Sequence, residues 1–454
     1  MGIPRHCSWL QPMGHPGRGV RAQYGPGQRA LLAAGMASVA STLATPALLS
    51  IPQRGHADET PLRARGVENL GRDKATVHHH RHGDIRTVTL AANQKHVARI
   101  TTRTWQKMNI AQQNQWSRGQ LESVANCPAC SSENRAVANF TRRDNEGAMP
   151  DLWRMVQCVD CQSIWLDPRP DAQSLPRAYD DYYTHNTEAD DVPQNGGSGL
   201  AWRLINGYLN RRFGMHRQPE SGWGYAIFSL IEPWRLKLDY YGRHLTYNRI
   251  GRPGCLLDIG CGNGAFLDRA KTMGWRVHGC EIDPKAVAAC RSIGLDVIEG
   301  DSFAPQLVEQ SFDVITMSHV IEHVHDQPAL LQRAHDLLRP GGWLWLAVPN
   351  PQSIGLFVAN SAWHALHPPY HLCIPSRAIL TNWLKEQGFS EIQLLRRGAH
   401  VRQIWRVSQA IAQREVIVAP SPGRLFAWRL LADALATISP YRAEETVLLA
   451  RKPD

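Results

Sequence analysis

Residues 255–266 limit what this chain can fold into more than any other segment. They read Cys-Leu-Leu-Asp-Ile-Gly-Cys-Gly-Asn-Gly-Ala-Phe, so an apolar strand runs into glycines at 260, 262 and 264 before a helical pattern begins. Glycine lets the backbone turn sharply and approach a ligand closely, as the first βα turn of a nucleotide-binding sheet requires. Short apolar strands alternate with helical segments from here onward, which predicts a parallel α/β sheet.

Carboxylates at three successive predicted strand ends indicate which nucleotide suits this loop. The glycines alone also fit a dinucleotide pattern, but Asp258 would repel a pyrophosphate and attract a cationic amino group. Glu281 can accept hydrogen bonds from two ribose hydroxyls, and Asp301 can accept one from an adenine amino group. S-adenosylmethionine matches all three. The predicted cofactor-binding residues are Asp258, Gly260, Cys261, Gly262, Gly264, Glu281, Ile282, Asp301, Ser302 and His319.

The order of the motifs resembles that of the class I S-adenosylmethionine-dependent methyltransferases, in the broad group that includes the ubiquinone-biosynthesis O-methyltransferases. The matching segments are residues 258–264, 281–284, 300–301, 312–319, 322–324 and 337–342. The resemblance implies a Rossmann-like sheet of seven strands, S-adenosylmethionine as cofactor and methyl transfer as the reaction. Residues 443–453 resemble the closing strand of that group.

Two CxxC pairs precede the predicted catalytic domain. Cys127 and Cys130 form the first, and Cys158 and Cys161 form the second, with 27 residues between the pairs. Two such turns can complete a tetrahedral shell of four thiolates around Zn²⁺, with no open position for chemistry. We therefore predict a structural zinc ribbon and a reducing, cytoplasmic location. Zinc ribbons precede such domains in bacterial methyltransferases that are associated with glycan synthesis, so the resemblance extends to this module.

Histidines mark the predicted site of transfer, because an alcohol acceptor benefits from a general base. His319, Glu322 and His323 follow the fourth predicted strand and would share one face of a helical turn. In ubiquinone-type relatives, Glu-x-x-Glu-His at this place is associated with a divalent ion; here His319 replaces the first Glu, and the three could still hold a metal. Alternatively, Glu322 and His323 brace the strand and helix. His371 is predicted to line the acceptor pocket.

The chain divides into four predicted parts: a mostly disordered basic tail (1–120), the zinc ribbon (121–170), a helical connector or lid (171–250) and the catalytic domain (251–454). The tail contains 16 Lys and Arg but 5 Asp and Glu, whereas the remainder contains 34 and 35. Met108 could begin a shorter chain. The apolar run at 30–51 is poor in Leu, Ile and Phe, so no integral membrane span is expected.

The predicted reaction is methyl transfer to a hydroxyl of a small molecule or a glycan. A nucleic-acid methyltransferase is an alternative, suggested by the ribbon and the basic tail, but the near-neutral charge of residues 121–454 argues against a phosphate-binding surface. A protein that binds the cofactor without turnover is a second alternative, because Asp258, Glu281 and Asp301 indicate only binding. The sequence leaves the oligomeric state and the acceptor open.

Overall fold

The computed structural model describes residues 116–143, 152–179, 199–415, 417 and 422–454. Its strands are β1 (Leu121–Glu122), β2 (Arg135–Arg143), β3 (Leu152–Cys158), β4 (Ile164–Leu166), β5 (Arg169–Pro170), β6 (Cys255–Ile259), β7 (Arg276–Glu281), β8 (Val297–Glu299), β9 (Phe312–Ser318), β10 (Leu338–Pro349), β11 (Cys373–Ile374), β12 (Ser390–Leu395) and β13 (Glu445–Arg451).

Helices cover much of the remaining described chain. They are α1 (Leu175–Ala178), α2 (Leu200–Phe213), α3 (Trp223–Leu230), α4 (Glu232–Tyr241), α5 (Tyr247–Ile250), α6 (Ala265–Thr272), α7 (Pro284–Ser292), α8 (Gln327–Leu337), α9 (Ile354–Ala359), α10 (Arg377–Glu386), α11 (Val401–Arg414) and α12 (Pro422–Ile438). Single 3₁₀ turns lie at Ile321–His323, Asn360–Ala362, His364–Leu366 and Pro440–Arg442.

Seven of the strands form one mixed sheet, in the order β12-β13-β10-β9-β6-β7-β8. Strand β6 pairs in parallel with β7 and β9, and β13 runs antiparallel to both β10 and β12. The chain moves outward from β6 to one side and then crosses to the other, so the strand order reverses between β6 and β9. Ligands bind at the carboxyl ends of the strands at such a reversal. The predicted seven-stranded, Rossmann-like fold is confirmed.

Side-chain caps fix the starts of three helices around this sheet. The Asp283 carboxylate accepts from the Lys285 backbone N–H at α7, and Asp326 accepts from Ala329 N at α8. Ser376 accepts from Ile379 N at α10. Each cap satisfies a backbone donor that the first helical turn leaves unpaired. These short side chains therefore explain where the loops after the strands end and the helices begin.

Buried side chains of the helical connector pack against the catalytic sheet. Tyr208 and Phe213 of α2 are completely buried, in one apolar cluster with Leu256 of β6 and Trp345 of β10. Not all connector aromatics contribute, since the side chain of Trp223 is 74% exposed. The connector aromatics of α2 thus belong to the core, whereas the aromatic residue at the start of α3 is exposed to solvent.

The cysteine module forms a second sheet, in the order β11-β4-β3-β2, beside the short β1–β5 pair. Its strand β11 lies within the catalytic domain in sequence and pairs antiparallel with β4. A sheet of this size buries little apolar surface alone. The module instead shares a core with the catalytic domain, a contact that sequence spacing did not predict.

Several predictions about the N-terminal region fall on residues that are not described. These are the disorder of most of the tail, the alternative start at Met108 and the apolar run at 30–51. None of the helices in the described ranges combines the length and the hydrophobicity that a membrane crossing requires.

Candidate active site

The glycine loop has the left-handed backbone that its sequence predicts. Gly260, Gly262 and Gly264 have φ angles of +66°, +53° and +78°. The N–H groups of Gly260 and Cys261 both donate to the carbonyl of Cys280, at 2.9 and 3.2 Å, which ties the loop to the end of β7. A Cβ at Gly262 would meet nothing in the described chain within 4 Å. The middle of the loop therefore faces open space in which a ligand can lie against the backbone.

Asp258 lies beneath this loop with one oxygen bonded and one bare. Its Oδ1 accepts from the Thr316 hydroxyl at 2.7 Å and pairs with the Arg243 guanidinium. Its Oδ2 is buried and has no hydrogen-bond partner among the described residues. Burial raises the pKa of this carboxyl, against the opposing effect of Arg243. A bare carboxylate oxygen at the loop suits a cationic amino group, so this residue fits S-adenosylmethionine.

Glu281 braces the loop in this structure. Its Oε2 accepts from Gly262 N at 2.8 Å, and its Oε1 accepts from Ile282 N at 2.8 Å and from Asp283 N at 3.1 Å. Oε1 thus uses both of its lone pairs, whereas Oε2 keeps a second lone pair that can accept from a ribose hydroxyl. The next predicted acid, Asp301, accepts from Phe303 N at 2.8 Å.

The sheet brings the predicted cofactor residues to one edge. Asp258 is paired in register with Gly279 of β7, and Glu281 with Glu299 of β8. Ser302 is buried, whereas Ile282 is 56% exposed and available to cover a flat ring. These placements fit the predicted cofactor roles, which stay predictions for each residue.

Arg243 was not found by the sequence reasoning. It follows α4 with φ +46°, and its guanidinium carbon lies 3.6 Å from the centre of the Phe266 ring. Its Nη1 donates to the Thr316 hydroxyl at 2.8 Å as well as pairing with Asp258. A guanidinium stacked on an aromatic face and bonded to a buried carboxylate is held in one position. Arg243 therefore neutralises part of the buried charge under the loop.

His319 is held between two carboxylates immediately after β9. Its Nδ1 lies 3.1 Å from Glu322 Oε1, and its Nε2 lies 3.0 Å from Glu445 Oε1. Burial alone would lower the pKa of His319, but the hydrogen bonds to Glu322 and Glu445 raise it well above the usual range. The ring therefore carries both protons at neutral pH. An imidazolium has no lone pair with which to accept a proton, so His319 is unsuited to act as a base.

Glu445 was also missed, although residues 443–453 suggested a closing strand. It begins β13 opposite Pro349, the last residue of β10, and so reaches the carboxyl edge of the sheet. Burial acts to raise the pKa of its carboxyl, but Arg397 and His319 hold it well below the usual range. Arg397 Nε donates to Glu445 Oε2 at 2.6 Å. The antiparallel direction of the predicted closing strand was the signal that could have placed this residue.

His323 and His371 lie together and are both neutral. His323 Nδ1 lies 3.1 Å from the Tyr370 carbonyl oxygen, and His371 Nδ1 lies 2.8 Å from that of Ala365. A carbonyl only accepts, so each Nδ1 carries the proton and each Nε2 keeps its lone pair. The ring centres are 4.6 Å apart. Burial lowers the pKa of both rings, which keeps them neutral and able to accept a proton at pH 7.

Glu322 is completely buried beside these rings. Its Oε1 lies 3.9 Å from His371 Nε2, and its Oε2 has no hydrogen-bond partner among the described residues. Glu322, His323 and His371 each offer a ligand atom within 4.8 Å of the others, so they could hold a divalent ion. The predicted set contained His319 instead of His371. In the structure both nitrogens of His319 face carboxylates, and His371 offers the third ligand atom.

The four cysteines converge in two matching turns. Cys127 Sγ is 3.6 Å from Cys161 Sγ, and Cys130 Sγ is 3.6 Å from Cys158 Sγ. All four sulfurs lie within 4.8 Å of one another. Zn–S bonds of about 2.3 Å in a tetrahedron place sulfurs about 3.8 Å apart. The donor set and its spacing therefore fit a zinc ion.

Comparisons with known proteins agree with the fold and the loop. A family model described as a methyltransferase domain matches residues 234–394. The chain is similar to a ubiquinone biosynthesis O-methyltransferase of Xanthomonas campestris pv. campestris, at 28% identity over 195 residues that cover 39% of this chain and 77% of that protein. A protein of the same name from Paraburkholderia phymatum is 33% identical over 127 residues, which cover 26% of this chain and 52% of that one.

A solved S-adenosylmethionine-dependent methyltransferase from Archaeoglobus fulgidus aligns at 18% identity and a TM-score of 0.33, over 50% of this chain and 94% of that one. The family match, the sequence relatives and the strand order lead to one conclusion. The chain contains a class I S-adenosylmethionine-dependent methyltransferase domain and is an S-adenosylmethionine-dependent methyltransferase.

Proposed function

We propose that this enzyme transfers a methyl group to a hydroxyl of a small molecule or a glycan, with His323 as the general base. The observation that carries the proposal is the neutral His323 ring, whose Nδ1–H is held by the Tyr370 carbonyl at 3.1 Å and whose Nε2 keeps its lone pair. Val320, three residues earlier, lies against the glycine loop, since a Cβ at Gly260 would be 2.6 Å from its Cγ2. The 3₁₀ turn Ile321–His323 therefore lies next to the cofactor loop.

The cofactor would be held by residues along the carboxyl edge of the sheet. Asp258 Oδ2 would receive its amino group, Glu281 its ribose hydroxyls and Asp301 its adenine amino group. When bound, the sulfonium supplies an already activated methyl group, so the protein has mainly to orient the acceptor and exclude water. His323 Nε2 would take the proton of the acceptor hydroxyl as the oxygen becomes nucleophilic.

The surrounding charges would support this proton transfer. Protonated His323 would be stabilised by the buried carboxylate of Glu322, the preceding residue in the chain, whose Oε2 has no partner among the described residues. His319 would stay charged between Glu322 and Glu445 and hold the turn in place. His371 would line the acceptor pocket. Names of O-methyltransferases among the relatives support an oxygen acceptor.

The four cysteines are proposed to bind one structural zinc ion, as their 3.6 Å sulfur pairs favour. The residue after each knuckle has a left-handed backbone, with φ +61° at Ser131 and +64° at Gln162, so the two turns are alike. Native mass spectrometry of the purified chain should detect one zinc, and Cys158→Ser should lose it. Cys280→Ser, a buried cysteine of β7, is the control that should keep it.

Release of S-adenosylhomocysteine tests the function with a panel of phenols, sugars, nucleotide sugars and RNA. We expect turnover with a hydroxyl acceptor, loss of turnover in Gly262→Arg, and a loss of about 100-fold or more in His323→Gln, since a positioned base contributes 10²–10⁴-fold. His216→Gln changes an exposed histidine and should be silent.

Three results would count against the proposal. Activity with RNA that RNase abolishes would favour a nucleic-acid methyltransferase. Cofactor binding without turnover on any acceptor would favour a binding protein. Full activity of His323→Gln would remove the base from the mechanism while leaving the methyltransferase assignment intact.

A further inference from the structure

We infer that the cysteine module forms one wall of the acceptor side of the active site, and that Tyr179 at its end is a positioning residue for His323. This inference rests on the proposed function, because it concerns the same base. The cysteine module here means residues 116–143 and 152–179. Four kinds of contact join it to the segments that carry His323 and His371.

The first contact is a shared sheet. Cys373 pairs with Trp165 and Ile374 with Ile164 across β11 and β4. Leu166 N also donates to the Leu372 carbonyl at 3.0 Å. Strand β4 begins three residues after Cys161, and β11 begins two residues after His371. The segment carrying His371 is therefore fastened to the part of the module that directly follows its second cysteine pair.

The second contact is a shared hydrophobic core. Buried side chains of the module pack in one cluster with buried side chains around His371, separate from the cluster under the cofactor loop. The members from the module are Trp116, Phe140, Trp153, Met155, Ile164, Leu166 and Ala178, and those from the catalytic domain are Leu356, Trp363, Leu366, Tyr370, Leu372 and Ile374. Loosening the module would thus remove packing from the segment that carries His371.

The third contact ties the His323 turn to the same segment. Leu372 N donates to the Glu322 carbonyl at 2.8 Å. The Gln327 amide nitrogen donates to the carbonyls of Ile321 and Cys373, both at 2.7 Å. Gln327 is buried, so these bonds are protected from water. The turn and β11 therefore move as one unit, and the module holds that unit through β4.

The fourth contact reaches the base itself. Tyr179 follows α1 of the module, and its hydroxyl oxygen lies 2.9 Å from His323 Nδ1. Because Nδ1 already carries the proton directed at the Tyr370 carbonyl, the Tyr179 oxygen acts as a second acceptor. Its ring also packs edge-on against Tyr370, with centres 5.4 Å apart. Two acceptors on one side of the ring fix its rotation and direct Nε2 away from the module.

The cofactor residues are not part of this arrangement. Asp258 pairs with Arg243 and Thr316, and Glu281 accepts from Gly262, all outside the module. A change in the module should therefore affect the acceptor step and spare cofactor binding. This separation distinguishes positioning from a general structural role.

The first experiment compares Tyr179→Phe with wild type in the full-length protein. We expect kcat to fall about tenfold, part of what a positioned base contributes, with the acceptor KM and the S-adenosylhomocysteine Kd within about twofold. In a His323→Gln background the same change should have no further effect. Tyr247→Phe, which removes a hydroxyl 3.4 Å from the Met273 carbonyl, is the control. An unchanged kcat, or an equal loss in the His323→Gln background, would overturn the role of Tyr179.

The second experiment needs no acceptor, so it stands even if the proposed function fails. Hydrogen exchange is measured in Cys158→Ser and wild type. We expect faster exchange in residues 321–327 and 366–374, unchanged exchange in 256–264, and S-adenosylhomocysteine binding that is retained. Unchanged exchange at 366–374, or loss of cofactor binding together with faster exchange at 256–264, would overturn the inference.

Discussion

Two glycines of the cofactor loop should respond differently to the same substitution. Gly262 and Gly264 both have positive φ, so alanine at either position should cost about 1–2 kcal/mol in backbone strain. At Gly264 the new Cβ would also lie 2.5 Å from Leu295 Cδ1 and 2.8 Å from Cys290 Sγ. Both neighbours are buried, and overpacking of this kind costs about 1–3 kcal/mol more. At Gly262 the Cβ would meet nothing in the described chain within 4 Å.

Gly264→Ala should therefore lower the free energy of unfolding by about 2–5 kcal/mol, and Gly262→Ala by only about 1–2 kcal/mol. Gly262→Ala should instead weaken S-adenosylhomocysteine binding, because its methyl group enters the space above the loop. Chemical denaturation gives the stabilities and titration calorimetry gives the affinities. Equal destabilisation by the two variants, or an unchanged affinity in Gly262→Ala, would refute the reasoning about which glycine faces the ligand.

Three further predictions concern the charges of the site and the zinc. Asp258→Asn should weaken cofactor binding about 10- to 100-fold, because a hydrogen bond to a charged group contributes about 1.5–3 kcal/mol; calorimetry measures this, and an unchanged Kd would remove Asp258 Oδ2 as the partner of the amino group. Glu445→Gln should lower the free energy of unfolding by about 1–3 kcal/mol, since it removes the buried anion that Arg397 and His319 share, whereas Glu391→Gln, at an exposed pair with Arg451, should change it little. Removing zinc with a strong chelator should lower the melting temperature, and re-adding zinc should restore it; no change would argue against a structural ion.

The parts of the site that could be predicted lie close together in the amino-acid sequence. The loop of residues 258–264 carries its glycines and its first carboxylate within one turn, and each later acid follows its own strand. Residues at successive strand ends can be expected to meet in the fold, because parallel strands place their carboxyl ends at one edge of the sheet. The seven-stranded fold, including β13 as its closing strand, was expected from the resemblance to the class I methyltransferases.

The residues that the sequence missed are distant from their partners in the chain. Arg243 is 73 residues from Thr316, and His319 is 126 residues from Glu445. Tyr179 is 144 residues from His323. No periodicity or spacing carries information about such pairs, since they depend on how the connector and the cysteine module pack against the sheet. The pairing of β11 with β4 across the predicted boundary at residue 170 is a distant contact of the same kind.

Three histidines close to one carboxylate illustrate why residue type alone could not assign roles. His319 faces carboxylates with both ring nitrogens and is therefore an imidazolium. His323 and His371 each direct one nitrogen at a backbone carbonyl, and burial keeps them neutral. The number of anionic partners decides the protonation state, and the protonation state decides whether a ring can accept a proton. Among the described residues, His323 is the one of the three that also bonds a side chain of the cysteine module, so the proposed base lies where that module meets the catalytic domain.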